Sequence, residues 1–379
     1  MAGKQIRVLV VDDSVVMREV LRAAIEGATD MIVVGTAADG RHALEQVKKL
    51  QPDVLTLDVQ MPHMDGLATL EVLFAQQPLP VIMVSSLTTA GAKTTLEALD
   101  RGALDCVPKP VISSGGSTAE FQDELRQKIR WAATVDVRRV LANRRTQPRR
   151  ASPWPAPVDK TFADTPVEEL NKICIAVGTS MGGPPALAAL FSALRPPLPP
   201  ILVVQHMMLN FTAPLAWRLD GISALSVNEA KEGDLLRPNH ALIAPSGRHL
   251  LLKRVGDRVK VVLDDSPRFG GHKPAVDLMM QSAAHLFGRR CLGVIMTGMG
   301  CDGVLGCAAI RTAGGYVLGQ DEATSDVYGM NKAAHQAGHV DRQFALGDVG
   351  TVIAAEVKRL LALRKAAPAE PSSVVLAGK

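Results

Sequence analysis

The sequence predicts an α/β protein of two domains, each built on a mostly parallel sheet covered by helices. Short β-branched apolar runs alternate with helical patterns along most of the chain. Hydrophobic residues make up 47% of the sequence but aromatics only 3%, so the cores must be made of Val, Leu, Ile, Ala and Met, as in parallel strands buried on both faces. At 379 residues the chain is also too long for one ordinary core. The net charge of +4, with 21% charged residues, is that of a soluble globular protein and does not call for nucleic acid. Cys106, Cys174, Cys291, Cys301 and Cys307 form no C-x-x-C pair and lie mostly in apolar segments, which predicts reduced thiols, no zinc site and a cytoplasmic location. The apolar run at 6–11 is short and ends in Asp12-Asp13, so it reads as neither signal peptide nor membrane span.

In the first domain, residues 1–135, strands are predicted at 6–11, 31–34, 54–59, 81–84 and 105–107. Met17, Val20, Leu21, Ala24 and Ile25 follow helical spacing, and 42–50, 67–76 and 93–99 read as further helices. Five such repeats make a doubly wound parallel sheet, whose ligands bind at the carboxyl edge of the strands. Polar residues gather there: Asp12 and Asp13 after the first strand, Asp58 at the third, Ser85 and Ser86 at the fourth, and Lys109 before Pro110 after the fifth. Taken singly, each has an ordinary reading as helix cap or solvated side chain. Together, three carboxylates at one edge suit a hard divalent cation such as magnesium, with Asp58 able to accept a phosphoryl group and Lys109 and a serine hydroxyl beside it.

The segments VVDDS, LDVQMPHMDG, VSS and Pro108-Lys109-Pro110 resemble the receiver domain of two-component response regulators. That resemblance implies a flavodoxin-like five-stranded sheet. It makes Asp58 the phosphorylation site, Asp12 and Asp13 (with Asp58) the Mg2+ ligands, Ser85 the switch hydroxyl and Lys109 the phosphate partner. Cys106 stands where many receivers carry an aromatic switch residue, so an aromatic rotamer change is not expected here.

Residues 136–170 read as a linker. Val137 to Ala142 has the pattern of a helix tail, after which Arg144-Arg145, Arg149-Arg150 and SPWPAP show no apolar periodicity. The arginine pairs are expected in solvent or against a protein partner rather than nucleic acid.

The second domain, residues 171–379, opens with an apolar run at 173–177, a glycine-flanked turn Gly178-Thr179-Ser180-Met181-Gly182-Gly183 and an Ala/Leu-rich stretch after Pro184-Pro185. This reads as strand, tight turn and helix, with Ser180 presented to solvent as a nucleophile; a phosphate-binding or structural glycine turn is the plainer alternative. Further strands are predicted at 201–204, ending in Gln205-His206, and 291–296, ending in Thr297-Gly-Met-Gly-Cys-Asp302-Gly. A hairpin is predicted from 250–253 and 259–263 through Gly256-Asp257, and helices at 274–287, 304–312 and 352–363. Ser180, His206 and Asp302 thus all follow strand ends, where α/β active sites collect.

Their chemistry assigns His206 as general base and Asp302 as the group that holds its tautomer. The backbone N–H groups of Met181 and Met299 are candidate oxyanion donors. Asp302 as a helix N-cap is the strongest alternative, and His240, His249, His272, His285, His335 and His339 also remain open as the base. The usual α/β-hydrolase order would favour His335 or His339.

GTSMGG, QHM and TGMGCDG, in the order Ser, His, Asp, resemble the catalytic domain of the chemotaxis protein-glutamate methylesterases, the CheB family. Receiver, linker and this domain are that family's architecture, so the resemblance spans nearly the whole chain. It implies a monomeric, phosphorylation-activated esterase and glutaminase. Chemoreceptors would be its substrates, a histidine kinase its phosphodonor, and its catalytic half would use no cofactor. Two positions depart from the family pattern: Met181 where threonine is usual, and Asn331 where proline is common.

Overall fold

The structure is a computed structural model that describes residues 5–86, 88–110, 118–146 and 165–363. The first half alternates β1 (Ile6–Val11), α1 (Val15–Glu26), β2 (Met31–Ala37), α2 (Gly40–Leu50), β3 (Val54–Asp58), α3 (Gly66–Gln76), β4 (Val81–Ser85), α4 (Thr89–Arg101), β5 (Asp105–Pro108) and α5 (Thr118–Ala132). The strands pair in parallel in the order β2-β1-β3-β4-β5, the doubly wound arrangement expected. Helix starts follow from short polar caps: Ser14, Asp39 and Asp65 accept from the N–H of Met17, His42 and Ala68. Those caps place α2 and α3 slightly earlier than their apolar periodicity does. Strand β2 runs to Ala37 because Gly35, Thr36 and Ala37 pair with β1 beyond a register shift at Val8/Leu9, which no apolar pattern announces.

Helix α6 (Val137–Thr146) carries the helix expected at 137–142 on through Arg144 and Arg145, which belong to a helix rather than to irregular chain. Arg149 and Arg150 lie outside the described residues, as does the SPWPAP segment. Arg144 is held on both sides. Its guanidinium donates to the carbonyls of Leu99 and Ala103 in the first half and lies 2.6 Å from Asp326 in the second, both side chains being buried.

After the short α7 (Val167–Leu170) come β6 (Cys174–Thr179), α8 (Gly183–Ala193), β7 (Ile201–Gln205), α9 (Thr212–Asp220), β8 (Ser226–Glu229) and β9 (His240–Ile243). The hairpin β10 (His249–Val255) and β11 (Arg258–Asp264) follows, then α10 (Val276–Phe287), β12 (Cys291–Ile295), α11 (Val304–Thr312), β13 (Tyr316–Gln320), α12 (Met330–Gln336), β14 (Arg342–Phe344) and α13 (Val349–Ala362). Seven strands form one parallel sheet in the order β14-β13-β12-β6-β7-β9-β8, and β10-β11 stands apart as an antiparallel pair. Gly256, with φ 57°, opens the two-residue hairpin loop. Strands β8, β9, β13 and β14 were not expected from the sequence. Ser226–Glu229 and Arg342–Phe344 are short, polar edge strands that only pairing with a neighbour defines.

The halves dock directly. Helix α4 packs on α8 and α9, Asp100 pairs with Arg218, and Lys93 Nζ lies 5.1 Å from the Trp217 ring centre. Arg139 and Asn143 of α6 donate to the carbonyls of Glu322 and Ala323. Phe191 on α8 is fully buried in the second core. Phe191→Ala is expected to destabilise that domain by about 3–5 kcal/mol, read as a lowered denaturant midpoint of the intact protein.

Candidate active site

Strand β6 is buried at every residue and lies between β7 and β12. The chain turns outward from β6 in one direction first and returns to build β12 on the other side, so the β6/β12 boundary is the sheet's topological switch point. Two backbone bonds carry the ladder past the strand ends: Ser180 N–H donates to the Thr297 carbonyl at 3.1 Å, and His206 N–H to the Thr179 carbonyl at 3.1 Å. Three neighbouring strands therefore deliver Ser180, His206 and the turn at residues 297–302 to one edge.

Two glycines let that edge close. Gly182 has φ 75° as the chain enters α8, and a Cβ on Gly298 would lie 2.8 Å from the Ser180 Cβ. This close packing leaves Ser180 only 9% exposed, against the solvent-presented hydroxyl expected from the turn alone. The Met181 and Met299 N–H groups donate to no acceptor among the described residues, while the Met181 carbonyl accepts from Thr297 Oγ1 at 2.9 Å.

His206 Nε2 lies 2.8 Å from Asp302 Oδ2. With Nε2–H donating to the carboxylate, the lone pair resides on Nδ1, which is buried without a partner. No hydrogen bond joins Ser180 Oγ to His206 among the described residues, a common state for such pairs before substrate binds. Asp302 also accepts from the N–H groups of Val276 (2.7 Å) and Asp277 (2.9 Å). It is thus a helix cap as well, but of α10 rather than of the helix that follows it in sequence. Burial works to raise the Asp302 pKa, yet His206 and these two N–H groups hold it below the usual carboxylate range.

Asp277 is the reciprocal piece, and the sequence reading missed it. Its Oδ1 accepts from Gly303 and Gly306 at the start of α11, each at 2.8 Å. Burial, with the Asp302 carboxylate beside it, pushes the Asp277 pKa up to about 6. An acidic residue in the first turn of the predicted 274–287 helix was the available signal.

The other histidines separate cleanly. His249 is buried between the Pro267 carbonyl and the Ala275 N–H, and His240 bonds Asn228 between β8 and β9. His285 lies on α10, His335 on α12 and His339 just beyond it. His272 alone reaches the site, stacked on His206 with ring centres 3.9 Å apart and planes 6° from parallel. Its pKa is pushed down to about 4 by burial, with His206 adding to the effect. Asn331 is buried and donates to the Gln320 carbonyl and Ser325 Oγ, two bonds a proline could not make.

In the first half, Asp12, Asp13 and Asp58 bring carboxylate oxygens within 4.8 Å of one another. Lys109 Nζ lies 2.7 Å from Asp58 and 2.8 Å from Asp12 Oδ2, an oxygen that is buried with no aligned hydrogen bond. Three carboxylates this close, with one lysine among them, fit a hard cation. Burial raises the Asp58 pKa and Asp12 adds to this, against the opposing pull of Lys109. A cavity of about 200 Å³ here is lined by Asp13, Asp58, Gln60, Ser86 and Lys109 among others. Ser85 is fully buried beside it, its Oγ donating to the Ser86 carbonyl at 3.3 Å. Cys106 is buried in β5.

Family models match both halves: response regulator receiver domain over residues 8–115 and CheB methylesterase over residues 175–353. A protein-glutamate methylesterase/protein-glutamine glutaminase of Pyrococcus abyssi is 43% identical, the match covering 90% of either chain. Proteins of the same name from Geobacter metallireducens and Dechloromonas aromatica are 43% and 44% identical over 92% and 90% of this chain and 95% and 96% of their own. With both halves matched in order and relatives aligned over nearly their whole length, the chain belongs to the CheB family of receiver-linked methylesterases.

Proposed function

We propose that this chain is a phosphorylation-regulated protein-glutamate methylesterase and protein-glutamine glutaminase of chemotaxis adaptation. It hydrolyses glutamyl methyl esters on chemoreceptors to glutamate and methanol, and glutamine side chains to glutamate and ammonia. The carrying observation is the 2.8 Å His206–Asp302 pair on the strand edge that also holds Ser180. In this reading residues 1–135 are the receiver, 136–170 the connector and 171–379 the catalytic domain. None of the helices among the described residues is long and apolar enough to cross a membrane, and the reading places the protein in the cytoplasm, acting as a monomer.

Ser180 Oγ attacks the side-chain carbonyl while His206 Nδ1 takes its proton, and Asp302 stabilises the resulting imidazolium. The tetrahedral oxyanion is held by the Met181 and Met299 N–H groups, which depend on backbone alone, so the Met181 side chain in place of threonine leaves this role intact. Methanol departs with the proton from His206. Water then attacks the acyl-enzyme, giving a proton to His206, and the tetrahedral intermediate collapses by breaking the acyl–Oγ bond as His206 returns that proton to Ser180.

In the receiver, Asp58 accepts phosphate from a histidine kinase. Asp12, Asp13 and Asp58 are the residues that would hold Mg2+, which supplies positive charge against the phosphoryl oxygens. Lys109, already between Asp58 and Asp12, neutralises them from the other side. Ser85 acts as the switch once its hydroxyl leaves the Ser86 carbonyl, the signal passing without an aromatic residue at Cys106. Docking of α4 on α8 and α9 restrains the unphosphorylated enzyme, and phosphorylation weakens that docking.

Methanol release from methylated receptor helices tests the reading. Ser180→Ala is expected to lose about 10³-fold or more in kcat with and without a small phosphodonor plus Mg2+. Wild type that hydrolyses only small free esters would overturn the receptor assignment. Asp58→Asn should keep the basal rate and lose stimulation by phosphodonor. Asp100→Ala, which removes an ion pair to Arg218 across the docking surface, should raise the basal rate about two- to fivefold, measured without phosphodonor; an unchanged or lower rate counts against restraint by docking.

A further inference from the structure

The hydrogen bond from His206 Nε2 to Asp302 fixes one point of the imidazole but not its plane. A ring held at one nitrogen can still swing about the hydrogen-bond axis, and that swing changes where Nδ1 points. His272 supplies the missing constraint. Its ring lies 3.9 Å from that of His206 and within 6° of parallel, so rotation of His206 out of its plane drives it into a neighbouring face.

The support beneath His272 is itself fixed. Phe269 and His272 exchange two backbone hydrogen bonds of 3.0 Å across a turn made by Gly270 (φ 57°) and Gly271 (φ 86°). The next residue, Lys273, accepts from Gly247 N–H at 3.1 Å and sends its Nζ to the Asp265 carbonyl at 2.8 Å. The ring is therefore presented by an anchored hairpin-like loop.

We propose that His272 is a positioning residue for His206, a neutral aromatic plate that holds the plane of the base and receives the imidazolium face-on as Ser180 is deprotonated. This rests on His206 being the base. A cation on the face of an uncharged ring is attracted to it, whereas two facing imidazolium rings repel. The groups acting electrostatically on His272 are His206, Asp302, Arg268 and, from α5 of the receiver, Glu124. Burial and the His206 face keep the plate uncharged at neutral pH. The stack thus supports a cation on one ring only.

The test uses the full chain activated by phosphodonor and Mg2+, with kcat and KM measured for His272→Ala, His272→Leu, His272→Phe and His206→Gln. His272→Ala and His272→Leu are expected to lose about ten- to a hundredfold in kcat with KM changed less than about threefold. His272→Phe keeps a flat uncharged face and should stay within about threefold of wild type. Thermal melts and phosphodonor labelling of Asp58 identify a variant that has misfolded, and the Leu and Phe pair remains to decide if Ala does. An undiminished kcat in His272→Leu, or equal losses in Leu and Phe, overturns the inference. His206→Gln separates the two levels: an active His206→Gln removes the base assignment itself, whereas an inactive one beside a fully active His272→Leu removes only the positioning role.

Discussion

The catalytic half is organised around one buried carboxylate. Asp302 ties β12's turn to the start of α10 through two backbone N–H groups, and its third bond orients His206. Asp277 returns the favour from α10 to the start of α11. Each acid satisfies N–H groups that a helix start leaves unpaired and sits at the positive end of a helix dipole. Two carboxylates this close would repel if both were fully ionised. The opposite shifts, Asp302 down and Asp277 up, mean that as pH falls Asp277 takes up a proton first, and the charge is kept longest on the carboxylate facing His206. Packing of α10 on α11 and the orientation of His206 thus depend on the same few hydrogen bonds.

Sheet topology does the rest of the positioning. Ser180 and the glycine-rich turn come from β6 and β12, adjacent strands separated by more than a hundred residues of chain, and His206 comes from β7 on the other flank. Parallel neighbours end at the same edge, so residues just past their ends are brought together by the ladder, with no need for long reaching side chains. The receiver repeats the principle with different chemistry: Asp12, Asp58 and Lys109 stand at the ends of β1, β3 and β5, and gather charge where the other edge gathers Ser180 and His206.

The halves meet through α4 and α6, and α5 adds Glu120 near Arg268 in the loop that carries His272. The side chains of Arg144 and its partner Asp326 are both buried, and Asp326 lies against Gly182 in the Ser180 turn. A buried ion pair contributes little net stability after desolvation, but it is costly to break one-sidedly, which makes it suited to fixing one docked arrangement.

Much of this was legible in the sequence. Apolar runs located the long central strands, and the strand-end motifs located Ser180, His206, Asp12, Asp58 and Lys109, because each ends or immediately follows its strand, and Asp302, which closes the glycine-rich turn after β12. Strands β8 and β14 were not legible, since short polar segments become strands only through a partner. The sequence pattern gave only the start of α6; its continuation to Thr146 was masked by its arginines, which look solvated until Asp326 and the Leu99 and Ala103 carbonyls are placed around one of them. Local sequence determined the residue types and the strand each one follows. Tertiary structure alone decided that Asp302 caps α10 instead of its own helix, that Asp277 stands beside it and that His272 stacks on His206, because these contacts join segments whose proximity is set by packing and not by spacing along the chain.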